Sequence, residues 1–298
     1  MLSTDPKRYL EQRPLFTHGD RGRLQVIAGG IDAPIAEFGI ETAFPQFDRL
    51  PDGRWIVADS RCARSGQNAA VIDPAGVITH RFRLGDGIEH LQCDGAGAIW
   101  VGYFDEGLSD DLGCAGLARF DDEGAAAWSY NHEVARRFAA YPAEHYVDDN
   151  YALNVSGSEV WACSYMSFEI LRVLPDGEWR TWSNDVKGAK AIAVDGRDVV
   201  LFGGYEPNEM RIAHVRLGRD HAEWLGVLEL NLDGDVDARN RTVVGRGDTV
   251  HVVTTSTWSK FSVAEVVAAM QAAGSATVPN PEEPFDHTTT YIIGPSRD

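Results

Sequence analysis

The chain has 298 residues, with 45 acidic against 27 basic side chains and a formal net charge of −18 at pH 7. This balance argues against a nucleic-acid partner, because phosphate binding needs clustered lysine and arginine. No apolar run approaches a membrane span, and the N-terminal residues MLSTDPKRYLEQRP lack the apolar core of a secretory signal. We therefore expect a cytoplasmic protein without a membrane partner.

One strand–turn–strand unit recurs along the chain. Each copy has a short strand, a turn containing glycine or aspartate, and a strongly apolar strand. The turn residues supply the backbone conformations that tight hairpins need. The apolar strands are nearly continuous, as expected for strands covered on both faces. The five copies occupy residues 47–60, 91–104, 152–165, 191–204 and 242–255.

A second hairpin follows each of the first four copies, so the repeating unit is a four-stranded antiparallel sheet. Units of this size, repeated every ~40–60 residues, are typical of propeller blades. The sequence predicts an all-β fold, a five-bladed β-propeller forming one domain over 1–298. A sixth, degenerate blade is the alternative. The second hairpins are 69–82, 116–130, 169–183 and 211–230.

The fifth unit lacks a fourth strand. We expect its third strand at Thr288–Ile293 and its fourth at Arg23–Ala28, so that the N-terminal strand closes the ring and removes an exposed edge. Two insertions interrupt the repeats, near 131–148 and 259–286. Within the second, Phe261–Gly274 has the pattern of a helix ending at glycine.

The hairpin DGAGAIWVG at Asp94–Gly102 resembles NHL and gluconolactonase-like propellers, and this resemblance covers about residues 40–255. It implies a possible divalent cation at the mouth of the central channel, held by Glu41, Asn150 and Asn240. Such oxygen ligands suit a hard cation. Lys190 departs from the family pattern, because it stands where a further asparagine is expected and would repel a cation.

In propellers, the connections between blades and the loops after each second strand lie around one end of the channel, where ligands usually bind. In this sequence those segments carry polar and aromatic side chains. No other cofactor is indicated. The candidate ligand-binding residues are Glu41, Asp59, Arg61, Glu89, His90, Tyr103, Asp105, Glu106, Asp149, Asn150, Tyr165, Lys190, Tyr205, Arg239 and Asn240.

No motif dictates one chemistry. The sequence has no HExxH, GxSxG, P-loop or EF-hand pattern. We therefore predict a non-catalytic scaffold that binds a small molecule or a protein at the rim. One alternative is a metal-dependent hydrolase or lactonase of the gluconolactonase type. Another is a glycoside hydrolase using Asp59, Asp105 or Glu106, and Asp149 as carboxylates.

Overall fold

Four of the predicted repeats fold as four-stranded antiparallel sheets in which sequential strands are neighbours. The computed structural model describes residues 21–26, 36–41, 44–139, 142, 144–205, 209–230, 241–254 and 257–272. Contacts divide the chain into two compact units, Met1–Tyr130 and Asn131–Asp298. The predicted all-β architecture of propeller-like blades is confirmed, whereas blade number and ring closure stay predictions.

The described residues of the first unit form a hairpin and two blades. The hairpin joins β1 (Arg21–Val26) to β2 (Ala36–Glu41). Two short 3-10 helices, Asp105–Ser109 and Gly113–Ala115, lie between β8 and β9. The first blade comprises β3 (Pro45–Arg49), β4 (Trp55–Asp59), β5 (Ala69–Ile72) and β6 (Ile78–Phe82), and the second comprises β7 (Ile88–Cys93), β8 (Ile99–Tyr103), β9 (Leu117–Phe120) and β10 (Ala126–Ser129).

The described residues of the second unit form three sheets and two helices. Helix α1 (Tyr130–Phe138) precedes its first sheet, and α2 (Val263–Ala272) follows its last strand. The third blade comprises β11 (Asn150–Ser156), β12 (Glu159–Ser164), β13 (Ile170–Val173) and β14 (Trp179–Trp182). The fourth comprises β15 (Ala191–Asp195), β16 (Asp198–Phe202), β17 (Arg211–Leu217) and β18 (Ala222–Glu229), and the fifth sheet comprises β19 (Thr242–Arg246), β20 (Thr249–Val253) and β21 (Trp258–Ser262).

The second strand is a deeply buried element of the first and second blades. Every residue of β4 and of β8 is buried, as the continuous apolar runs predict for strands covered on both faces. Hydrophobic clusters join consecutive sheets within each unit. The first and second blades share one cluster, the third and fourth share another, and the fourth blade packs with the fifth sheet and α2.

Aspartates organise several of the hairpin turns. Asp73, Asp94 and Asp121 each accept backbone N–H bonds from the residues two and four positions later, at 2.8–3.1 Å. The second oxygen of Asp94 also accepts a 3.0 Å bond from the Trp100 indole. These bonds explain why aspartate begins so many of the turns that the sequence analysis recognised.

The fifth sheet departs from the predicted strand order. Its third strand is β21, Trp258–Ser262, so the prediction of Thr288–Ile293 next to β20 is wrong, and that segment lies outside the described residues. Burial alternates along β21, with Ser259 and Phe261 inside. This period of two identifies a strand, and Phe261 and Ser262, which the sequence predicts in the helix, belong to that strand.

The remaining interruptions contain the helices. Helix α1 lies in the first predicted insertion, and α2 begins two residues later than the predicted helix. The predicted N-terminal strand corresponds to β1, whose described partner is β2. Among the described residues, no helix is long and apolar enough to cross a membrane.

Candidate functional site

The candidate residues of the first unit form an ion-pair network. The guanidinium of Arg61 donates to both carboxylate oxygens of Asp86, at 2.9 and 3.1 Å, and also pairs with Glu106. It lies 5.7 Å from the centroid of the Phe104 ring. Burial raises the pKa of Asp86. The hydrogen bonds from Arg61 and from the Cys62 N–H lower it by more, so the pKa of Asp86 is below its ordinary value. The Arg61 charge is compensated by these two carboxylates, which indicates a structural role for the arginine.

Other candidates in this unit do not converge on a site. Tyr103 is fully buried, and its hydroxyl donates to the Leu84 carbonyl, so it belongs to the core. Asp59 is buried at the end of β4, where it accepts the Arg61 N–H at 3.1 Å. His90 is half-buried on β7. Asp105 and Glu89 are exposed.

A β-bulge begins the first strand of both the second and third blades. In the second blade Ile88 pairs with Tyr103 and His90 with Gly102, which leaves Glu89 as the extra residue. In the third blade the corresponding extra residue is Tyr151, between Asn150 and Ala152. Bulges re-aim side chains and are frequent beside binding sites. The bulged residue is therefore the carboxylate Glu89 in the second blade and the aromatic residue Tyr151 in the third.

Four aromatic side chains of the second unit form a closed cycle, called here the aromatic cluster: Tyr151, Tyr165, Phe168 and Tyr205. Consecutive ring centroids are 5.3 Å (Tyr151–Tyr165), 6.0 Å (Tyr165–Phe168), 6.2 Å (Phe168–Tyr205) and 6.4 Å (Tyr205–Tyr151) apart. Three of these contacts are edge-to-face, the arrangement that aromatic rings favour. The cluster therefore links the starts and ends of strands in the third and fourth blades.

Phe168 holds an unusual backbone conformation in the loop between β12 and β13. Its φ is +53°, a left-handed value that bulky residues rarely adopt. Two buried groups bond its carbonyl: Asn184 Nδ2 at 3.2 Å and the Cys163 thiol at 3.6 Å. Such strain persists only where the surroundings fix it, and it concentrates at functional sites.

Lys190 covers one ring of the aromatic cluster. Its ammonium lies 3.6 Å from the centroid of Tyr151, within cation–π range. Its backbone N–H donates to the Phe202 carbonyl at 2.7 Å, which extends the β15–β16 ladder to this end of the blade. The lysine that departs from the family pattern is therefore part of the aromatic cluster's surroundings.

The polar groups beside the cluster are buried or hydrogen-bonded. The hydroxyl oxygens of Tyr151 and Tyr205 are 3.3 Å apart. Burial raises the pKa of Tyr151 well above its ordinary value, and the bond to Tyr205 and the charge of Asp149 raise it further. Asn150 is fully buried, and neither its amide nitrogen nor its oxygen has a partner among the described residues. The hydroxyls stay protonated, so they act as hydrogen-bonding groups rather than as proton acceptors.

The predicted cation site stays a prediction. Glu41 ends β2, and Arg239 and Asn240 lie outside the described residues. Of the three predicted ligands only Asn150 has a described side chain, and the positively charged ammonium of Lys190 lies over the ring of the next residue, Tyr151. Within the described part of the chain, no three His, Cys, Asp or Glu side chains are placed to hold a metal ion.

Sequence reasoning identified Tyr165, Lys190 and Tyr205 as candidates, and the structure brings them together with Asp149 and Asn150. The sequence did not indicate Phe168 or Tyr151 as site residues. Tyr151 stood in a predicted rim segment, and its bulge could not be read from strand spacing. Phe168 is recognisable only from its positive φ and from the rings around it.

Comparisons with known proteins give structural similarity only. No protein-family model matches the chain, and no curated protein does. A streptogramin B lyase structure has 12% sequence identity to this chain and a TM-score of 0.45. The match covers 72% of this chain but only 63% of the lyase, which is less than two thirds of its length. Virginiamycin B lyase from Staphylococcus aureus has 13% identity and a TM-score of 0.42, over 82% of this chain and 74% of the lyase.

A protein of unknown function from Desulfotomaculum acetoxidans has 9% identity and a TM-score of 0.48, covering 80% of this chain and 81% of its own. TM-scores below 0.5 carry no argument about activity. The description of this chain as an all-β protein with propeller-like blades rests on its repeated four-stranded sheets and their strand order.

Proposed function

We propose that the chain is a non-catalytic binding protein whose ligand binds at the aromatic cluster of the second unit. The observation that carries this proposal is the closed cycle of four rings, in which Tyr165 and Tyr205 remain 40% and 44% exposed. Tyrosines that are fixed by neighbours yet open to solvent are the side chains that commonly dominate binding surfaces.

The exposed apolar surface extends beyond the two tyrosines. Met166, next to Tyr165, is 54% exposed. Contiguous apolar surface is costly to leave in water, and where it occurs it usually marks an interaction site. A ligand that covered Tyr165, Met166 and Tyr205 would remove this surface from solvent.

The cluster is built to be rigid before a ligand arrives. The Phe168 carbonyl is anchored by Asn184 and Cys163, and the Asp149 carbonyl accepts the Tyr165 N–H at 3.0 Å. Fixed side chains lose less conformational entropy on binding, so more of the contact energy appears as affinity. The strain stored at Phe168 is consistent with a geometry kept for recognition.

The polar chemistry of the cluster supports binding over catalysis. The Tyr151 hydroxyl is protonated at neutral pH even at an ordinary tyrosine pKa of about 10, and burial raises that pKa further. A proton acceptor for catalysis needs a pKa near the working pH. The hydroxyl pair of Tyr151 and Tyr205 can instead orient a ligand by donating or accepting hydrogen bonds.

Ligand-observed NMR with a panel of cationic, neutral and anionic small molecules tests the proposal. We expect compounds that bind the wild-type protein to lose binding in the Tyr165→Ala/Tyr205→Ala double variant. Trp258→Ala is the matched control, since Trp258 is 48% exposed and lies on the fifth sheet of the same unit. Circular dichroism should show that all variants keep their β-structure.

Two results would count against the proposal. One is a set of compounds that binds the double variant as well as the wild type. The other is a panel of which no member binds the wild type.

A metal-dependent lactonase of the gluconolactonase type remains the alternative that the sequence resemblance implies. Calorimetric titration with Ca²⁺, Mn²⁺ and Zn²⁺ tests it. Binding that is lost in Glu41→Gln and Asn150→Ala would favour the lactonase, and an absence of heat with an unchanged melting temperature would exclude it.

The five-bladed ring also remains a proposal. We infer that the N-terminal strand predicted at Arg23–Ala28 completes the fifth sheet, because β21 has one described neighbour, β20. Deleting residues 1–43 should then speed amide hydrogen exchange in β21 and leave β14, the outer strand of the third blade, unchanged. Unaltered exchange in β21 would argue against this closure.

A further inference from the structure

We propose that the ligand presents a methylated or quaternary ammonium group, bound on the face of Tyr151 that Lys190 now covers. This inference rests on the proposed function, because it names the ligand class of the same aromatic cluster. Its starting point is that a positive nitrogen already occupies this ring face, 3.6 Å from the centroid.

Lys190 is an intramolecular stand-in for such a ligand. It forms no ion pair with any described residue, although the chain carries 45 acidic side chains. Its ammonium is placed on an aromatic face instead. A surface lysine placed in this way shows that the ring face is electrostatically suited to a cation.

Two further aromatic rings and a carboxylate lie near the Tyr151 ring. The Tyr165 ring lies 5.3 Å from Tyr151, with 37° between their planes, and Tyr205 meets Tyr151 edge-on at 72°. The negative charge of Asp149 acts on the hydroxyls of both Tyr151 and Tyr205 and contributes to their raised pKa values. Aromatic faces together with a nearby carboxylate favour a cation over an anion.

Lys190 can leave the ring without disturbing the fold. The residue is exposed, and its flexible stem can carry the ammonium into water. Its Cγ lies 3.4 Å from where a Cβ on Gly203 would stand, and the φ of Gly203 is +94°, so the glycine leaves room for this stem. A primary ammonium is strongly hydrated, whereas an alkylated one is less so and keeps more of the ring contact.

The test uses choline and its neutral isostere 3,3-dimethylbutan-1-ol as probes in ligand-observed NMR. We expect choline to bind about 3- to 30-fold more tightly than the isostere, which is the range of a cation–π contact. Its methyl resonances should shift upfield, because the protons lie over the ring. Tyr151→Leu should abolish this binding.

Lys190→Met is the decisive variant, because it removes the competing ammonium and its charge. We expect it to tighten choline binding several-fold. Lys260→Met is the matched control: Lys260 also lies over an aromatic ring, 4.4 Å from the centroid of Trp258, and its loss should leave choline affinity unchanged.

Equal affinity for choline and the isostere would overturn the inference, as would weaker choline binding in Lys190→Met. If choline fails to bind while other compounds bind and depend on Tyr165 and Tyr205, the cationic ligand is wrong and the proposed function stands. If no compound depends on those tyrosines, the proposed function itself fails.

Discussion

Asn154 and Gly247 are 93 residues apart in the chain and hydrogen-bond to each other in both directions. The Asn154 Nδ2 donates to the Gly247 carbonyl at 2.7 Å, and the Gly247 N–H donates back to Oδ1 at 2.7 Å. The same Nδ2 donates to the Ile192 carbonyl at 2.7 Å. One fully buried side chain therefore ties β11 to β15 and to the turn between β19 and β20.

Replacing Asn154 by alanine should destabilise the second unit strongly. The change takes the Asn154 partner from the Gly247 N–H and one hydrogen bond each from the carbonyls of Gly247 and Ile192, although the Gly247 carbonyl keeps the Val194 N–H at 3.0 Å. A lost partner of this kind costs about 1–3 kcal/mol where the group left behind is buried. We expect a loss of about 2–4 kcal/mol in the free energy of unfolding, measured by urea denaturation. Ser158→Ala, at an exposed position in the same hairpin, should change it by less than about 0.5 kcal/mol. Equal effects would show that the bridge is unimportant.

Phe168 allows backbone strain to be separated from side-chain packing. At ordinary positions glycine is less stable than alanine by about 0.5–1 kcal/mol. At φ +53° the order should reverse, because alanine keeps the steric strain that glycine relieves. We expect Phe168→Gly to unfold at higher temperature than Phe168→Ala. A lower melting temperature for the glycine variant would contradict the strained conformation.

Gly188 supports Tyr205. A Cβ at this position would stand 3.1 Å from the Tyr205 backbone nitrogen, and the φ of Gly188 is +75°. Gly196 has a similar φ of +61° but no atom within 4 Å of its Cβ position, which makes it a matched control. Both alanine variants should lose about 1 kcal/mol through backbone strain. Gly188→Ala should lose more and should also weaken ligand binding at the aromatic cluster.

Asp86 should contribute stability that depends on pH. Its pKa is lowered in the folded protein, so the contribution is present above its unfolded pKa of about 4 and is lost as the pH falls through the folded value. We expect Asp86→Asn to cost about 1 kcal/mol at pH 7, a modest value because Arg61 is half-exposed.

Chemical denaturation at several pH values checks this expectation. The difference between wild type and Asp86→Asn should shrink below about pH 4. Glu106→Gln, which changes the more exposed partner of Arg61, should cost less than about 0.5 kcal/mol. A difference that does not vary with pH would show that Asp86 does not stabilise through its charge.

Local patterns predicted much of the fold. The apolar strands around Trp55, Trp100 and Trp161, with their glycine and aspartate turns, correctly indicated the four-stranded sheets. The pattern was weakest after β20, where a short strand and a helix follow each other without a turn, and there the predicted strand was wrong. The sequence pattern does not show where the two-residue repeat of a strand ends when the roughly 3.6-residue repeat of a helix begins at the next residue.

The sequence by itself determined the repeating sheet, since burial and turn geometry depend on neighbouring residues. It also indicated the ends of the strands at which Tyr165, Lys190 and Tyr205 lie. Only the tertiary structure decided which candidates meet. Tyr103 entered the core, Arg61 was neutralised by Asp86 and Glu106, and Tyr205 reached Tyr151 from 54 positions away. Those outcomes depend on a bulge, a left-handed residue and the packing of one blade against the next, which act between distant segments and leave no local sequence pattern.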